Sequence, residues 1–133
     1  MSAIKTTPRL SPTDRAQAER LASALQRFRS VDPKVTVEEV LTLLMVAAQP
    51  GIIQRDIGET LELKSGSLSR IMGRLTRRGD RETPGLELIH TVEDTQDWRQ
   101  KLLHLTNGGN RLVADALRDL EGGSPHVTPV ERE

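Results

Sequence analysis

The sequence contains no cysteine. That excludes disulfides, thiolate metal ligands, cysteine nucleophiles and thiol-based redox sensing. Tyrosine is absent too, and there is one tryptophan and one phenylalanine. The core must therefore be built from Leu, Val, Ile and Ala. There is no excess of charge, with 19 cationic residues against 19 anionic ones. A polyanion would not be coated by bulk charge, but a focused cationic site is still open to such a chain, because local fields steer binding. Long hydrophobic runs are missing, and the longest, Val40–Ala48, is too short to span a bilayer. Met1–Leu10 lacks the apolar stretch of a secretion signal, so the expected location is the cytoplasm, with no membrane partner. No nucleophile elbow, glycine-rich phosphate loop or His-Glu metalloprotease motif is present. Neither an enzyme nor a cofactor is expected.

What is present is mostly helix punctuation. At 133 residues the chain reads as one domain, over 11–121, with a flexible arm before it (1–10) and a disordered tail after it (122–133). Lys5 and Arg9 in the arm read as a solvated terminus or as contacts to a phosphate or partner. Ser11-Pro12-Thr13-Asp14 is a helix start with a capping box, and Leu21, Ala24, Leu25 and Phe28 give that helix an apolar stripe to about Ser30. Pro33 prevents it from continuing. Thr36-Val37-Glu38-Glu39 is a second capping box. The helix after it is apolar nearly all round, which predicts a central, buried element. Ile52-Ile53 suits a brief edge strand. Leu86–Val92 and Gln100–Leu105 read as two strands of a hairpin with a polar tip at Glu93–Arg99. Thr106 caps a last helix striped by Leu112, Val113, Ala116, Leu117 and Leu120.

Between these lies Gln54–Gly79, QRDIGETLELKSGSLSRIMGRLTRRG. It predicts two short helices joined by a tight turn. From Lys64 to Gly79 it carries Lys64, Arg70, Arg74, Arg77 and Arg78 and no acid. Ile57, Gly58 at the crossing, Leu61, Leu63, Leu68 and Ile71 match the pattern of a DNA-binding helix-turn-helix. Glu62 departs from it, since glycine is common there. The second helix is expected to run through Arg78. Lys64, Ser65, Ser67, Ser69, Arg70 and Arg74 lie outside its apolar stripe. Arg70 is the best candidate for a base edge, because a guanidinium pairs bidentately with guanine. Lys64, Arg74, Arg77 and Arg78 suit phosphates, as do Gln54 and Arg55 on the first helix. The blander alternative is a solvated basic face on an ordinary helix. His90 and His104 are equidistant from Asp97 and should face each other in a symmetric hairpin; two His alone make a poor metal site, and none is expected.

Asp97-Trp98-Arg99, then five residues, then Leu105-Thr106 and, after two more, Gly109 resembles the Asp-x-Arg…Leu-Thr-x-x-Gly signature of the MarR (multiple-antibiotic-resistance regulator) family. Gln54–Arg78 also resembles that family's recognition unit, and the likeness covers roughly 36–117. It implies a mainly α winged helix-turn-helix with a small β-hairpin wing, dimerising through its N- and C-terminal helices. It further implies a homodimeric regulator of transcription, a repressor, on a pseudo-palindromic double-stranded DNA site. Arg99 would enter the minor groove with Asp97 holding it; the alternative is an Asp–Arg pair that only steadies the tip. Trp98 either lies on sugar-phosphate or packs on the base of the wing. Many members respond to a small phenolic effector, but nothing in the sequence identifies a pocket for one. The Asp80–Leu86 loop is longer and more polar than the usual entry to the wing, and only one helix follows it. A winged-helix module that binds protein instead of DNA is the competing reading.

Overall fold

A computed structural model describes residues 9–79 and 82–122. The expectations for most of the arm and nearly all of the tail fall outside those residues, as do Asp80 and Arg81 of the long loop. Five helices and three short strands follow in the order α1 (Pro12–Val31), α2 (Val37–Ala48), β1 (Ile52–Ile53), α3 (Gln54–Thr60), α4 (Ser65–Leu75), β2 (Ile89–Glu93), β3 (Lys101–Leu105) and α5 (Asn107–Glu121).

Both capping boxes form. Ser11 Oγ accepts from the Asp14 amide while the Asp14 carboxylate accepts from the Ser11 amide, each at 3.0 Å. Thr36 and Glu39 do the same for α2 at 3.2 and 3.0 Å. These contacts satisfy amides that a helix start otherwise leaves open.

The core is aliphatic, as the composition requires. Leu43, Val46, Ile57, Leu75, Ile89 and Leu103 are fully buried, and Phe28 of α1 is buried in the same core. One expectation needs correcting: α2 is central but not buried all round. Leu43 and Val46 face inward, while Val37 and Leu41 face out. The sequence is apolar on both faces, whereas the neighbouring elements cover only one.

The sheet order is β1-β3-β2, antiparallel. Ile52 pairs with Leu103 and Ile53 with Leu102, so the Ile52-Ile53 pair is the third strand of the hairpin sheet. His90 does oppose His104, with the rings stacked at 5.6 Å between centroids.

Two boundaries differ from expectation for one shared reason. α4 ends at Leu75, not Arg78, and β2 begins at Ile89, not Leu86. The incoming chain returns against the end of α4. Leu86, Leu88 and Glu87 amides donate to the carbonyls of Arg74, Leu75 and Thr76 at 2.8, 2.8 and 3.3 Å. Those amides are thus used on the helix end and not on β3. The carbonyls of Glu87 and Leu88 accept from the Thr106 hydroxyl and amide at 2.6 and 3.0 Å. Gly109 lies here as well: a Cβ on it would stand 2.2 Å from the Leu88 carbonyl oxygen. The Leu-Thr-x-x-Gly segment therefore fastens the base of the hairpin to α5.

α1 and α5 pack along each other. Asp119, its side chain only 1% exposed, accepts from Arg27 Nε and Nη2 at 2.7 and 3.2 Å. This contact and the electrostatics of Asp119 hold the Arg27 pKa above its ordinary value despite some desolvation. Leu21, Leu25, Leu117 and Leu120 of the same two helices remain exposed.

Candidate nucleic-acid interface

The unit α3–turn–α4 is built by a close helix crossing. A Cβ on Gly58 would meet Leu68 Cδ2 at 2.9 Å, so glycine lets α4 approach α3. The Leu63 amide donates to the Gly58 carbonyl at 2.9 Å and closes the turn. Glu62 takes φ +55°, the left-handed conformation that glycine adopts without strain. The turn therefore keeps its usual backbone without its usual residue.

Ile71, Met72 and Leu75 are buried, and Leu68 is partly so. That fixes which face of α4 looks out. Lys64, Ser65, Ser69 and Arg70 are exposed and Ser67 is half-buried. Lys64 is the N-cap residue, with no side-chain cap bond, and the first turn holds no acid. Space around Gly66 is open. Among the described residues no carboxylate pairs with Lys64 or Arg70. The first two turns of α4 thus present hydroxyls, two cations and the positive end of a helix on one uncovered face.

The other cations differ from one another. Arg55 is exposed and lies 3.9 Å from Glu59, a solvent-facing pair worth about 0–1 kcal/mol. Gln54 is half-buried and lines a groove between α4 and the hairpin. Arg77 is exposed beyond the helix end, where it lies 4.0 Å from the Glu87 carboxylate. Arg78 folds back so that Nη2 donates to the Ser69 carbonyl at 2.8 Å. That groove encloses about 630 Å³ and is also lined by Ile89, His90 and Lys101. Neither His90 nor Lys101 was singled out by sequence as part of this surface.

Arg74, expected to serve a phosphate, is engaged by two carboxylates in this structure. Its guanidinium turns away from the exposed face and forms two hydrogen bonds with Glu39, at 2.6 and 3.1 Å. It also lies 3.0 Å from Asp32. Glu39 is almost wholly buried, and its hydrogen bonds to Arg74 raise the arginine pKa further above its ordinary value. The Lys34 amide and then Arg74 lower the Asp32 pKa, against the opposing effect of burial. Glu39 was visible in the sequence only as a capping residue. That its carboxylate also receives an arginine 35 positions later is a tertiary fact with no local signal.

At the hairpin tip the turn is tied by its own side chains. Asp97 Oδ1 accepts from the Arg99 amide at 3.1 Å and from Arg99 Nε at 3.2 Å. The Gln100 amide donates to the Asp97 carbonyl at 2.9 Å. The Arg99 side chain is 74% exposed, so the pair leaves most of the guanidinium accessible. Trp98 is 72% exposed and does not pack on the base of the hairpin. Among the described residues no group of three His, Asp or Glu is placed to hold a metal ion.

A helix-turn-helix followed by a β-hairpin that pairs with the short strand β1 before it, the hairpin tip and second helix both open to solvent, defines a winged helix. No protein-family model matches the chain, and no curated protein does. Solved structures match it clearly. Staphylococcus aureus MepR, solved as a complex with DNA, is 26% identical over 84% of this chain and 85% of its own, with a TM-score of 0.63. The PcaV transcriptional regulator from Streptomyces coelicolor is 29% identical over 80% of this chain and 74% of its own, with a TM-score of 0.55. MarR, at 21% identity over 85% of this chain and 78% of its own and a TM-score of 0.56, shares the fold. The chain therefore has the winged helix-turn-helix fold, and the solved proteins it is similar to include the regulators MepR, PcaV and MarR.

Proposed function

We propose that this protein is a sequence-specific double-stranded DNA-binding regulator of transcription that acts as a homodimer on a pseudo-palindromic site. The observation that carries this reading is the acid-free, uncovered start of α4, with Lys64, Ser65, Ser69 and Arg70 presented together. Arg70 reads a base edge in the major groove. Lys64, Arg55, Gln54, Arg77 and Arg78 contact backbone phosphates, and Ser65, Ser67 and Ser69 serve either role. Arg99, steadied by Asp97, enters the minor groove one wing-length away, with Trp98 beside it on the sugar-phosphate. The similar fold of MepR, solved with DNA, supports the choice of ligand.

The exposed leucines of α1 and α5 are the surface that a second copy covers, so the two flanking helices form the dimer arms and 11–121 is the functional unit. Repression is the simplest outcome of occupying a promoter. The protein binds and does not catalyse, and it works in the cytoplasm where its DNA is. A small-molecule effector is consistent with PcaV, which has been solved with its natural ligand.

Fluorescence anisotropy on duplex DNA tests the reading. Binding should weaken steeply with salt, with a log–log slope of about −0.9 for each phosphate neutralised. The competing reading, a module that binds protein through its wing, draws on the exposed Trp98 and expects no binding to random duplex at low salt.

A further inference from the structure

α1 and the recognition helix α4 are joined by a polar contact through Arg74. The C-terminal cap of α1 is Asp32, whose amide donates to the Phe28 carbonyl at 3.4 Å. Asp32 Oδ1 accepts from the Lys34 amide at 2.9 Å, which fixes the corner leading to α2. Glu39 closes the first turn of α2 through its bond to the Thr36 amide. Arg74, in the last turn of α4, reaches both carboxylates at once. One planar side chain therefore joins the end of α1, the start of α2 and the end of the helix that faces outward.

We infer that Arg74 is a positioning residue, the joint that sets the angle between the dimer arm and the recognition helix and so the spacing of the two half-sites. This rests on the dimeric DNA-binding reading. The guanidinium is suited to the task because its fork fixes direction as well as distance, which a lysine ammonium does not. Any tilt of α4 against the α1–α2 corner breaks at least one of the three bonds. Half-site spacing is sensitive to such a tilt. One added base pair moves the second half-site by about 3.4 Å and rotates it by about 35°.

The test uses the full chain and a series of duplexes carrying two selected half-sites at the preferred spacing and at one base pair more or fewer. Wild-type protein should prefer one spacing by about tenfold or more. Arg74→Gln should flatten that preference to about threefold or less and retain affinity for a single half-site. Arg74→Lys should lie between the two. Circular dichroism checks that the variants are folded. If Arg74→Gln unfolds, Asp32→Asn, which keeps the Glu39 bonds, should show a partial flattening. Loss of stability alone would weaken every spacing equally, and that result, or a spacing preference unchanged from wild type, overturns the inference. A wild-type protein that binds no duplex at all fails the DNA-binding reading itself, which is a different result from a wild type that binds and a variant that keeps its preference.

Discussion

Arg70 and Arg74 stand one helical turn apart on α4 and do opposite things. Both are arginines, both lie outside the main apolar stripe, and both belong to the same acid-free stretch. Yet Arg70 is exposed with no carboxylate partner among the described residues, whereas Arg74 is held by Glu39 and Asp32. The difference comes from neighbours distant in sequence. Toward the C-terminal end of α4 the α1–α2 corner approaches and supplies two carboxylates; over the first turns none of the described residues does. A cation's role on a helix is thus decided by what faces it, and the residue type alone does not reveal it.

The largest effect should come from breaking the held arginine. Arg74→Ala leaves the buried Glu39 carboxylate without its main partner and should destabilise the fold by about 2–4 kcal/mol, measured by urea denaturation. Arg70→Ala should do the reverse. It should leave stability within about 0.5 kcal/mol while reducing specific DNA binding by about 1–3 kcal/mol, roughly five- to 150-fold. If Arg70→Ala unfolds the protein while Arg74→Ala leaves it stable, the contrast is wrong. Lys64→Ala should have a smaller and different signature: weaker binding to all duplexes alike, with the salt slope reduced by about one.

Acid should loosen the held side only. The folded Asp32 pKa lies below its ordinary value of 3.8, so its ionised form stabilises the fold. That contribution is complete above the ordinary value and is lost as pH falls through the lowered one. The stability difference between wild type and Asp32→Asn should therefore be constant near about pH 6 and shrink below about pH 4. The smallest effect concerns the turn between α3 and α4. Glu62 occupies a left-handed conformation, and Glu62→Gly should stabilise the fold by about 0.5–1 kcal/mol without altering DNA affinity.

Much of this was legible in the sequence, because the signals were local. Ser11/Asp14 and Thr36/Glu39 marked two helix starts; Ile57, Gly58 and Leu68 marked the crossing; the equal distances of His90 and His104 from Asp97 gave the hairpin register. What was not legible depended on tertiary contacts. The end of α4 is set by Leu86–Leu88 returning to its last carbonyls, so a pattern that looked helical through Arg78 stopped at Leu75. The outward face of α2 was hidden by residues that are apolar all round. Arg74 resembled its cationic neighbours until Glu39 and Asp32 were placed beside it. For Trp98, sequence left two positions open, and its exposure removes the one on the base of the wing.

Selection of bound duplexes from a random pool tests the central claim most directly. The expected outcome for wild-type protein is one enriched motif with two inverted half-sites at a fixed spacing. The same selection with Arg70→Ala should lose a defined base position within each half-site. Recovery of unenriched sequence by the wild-type protein, or of the same motif by Arg70→Ala, would contradict it.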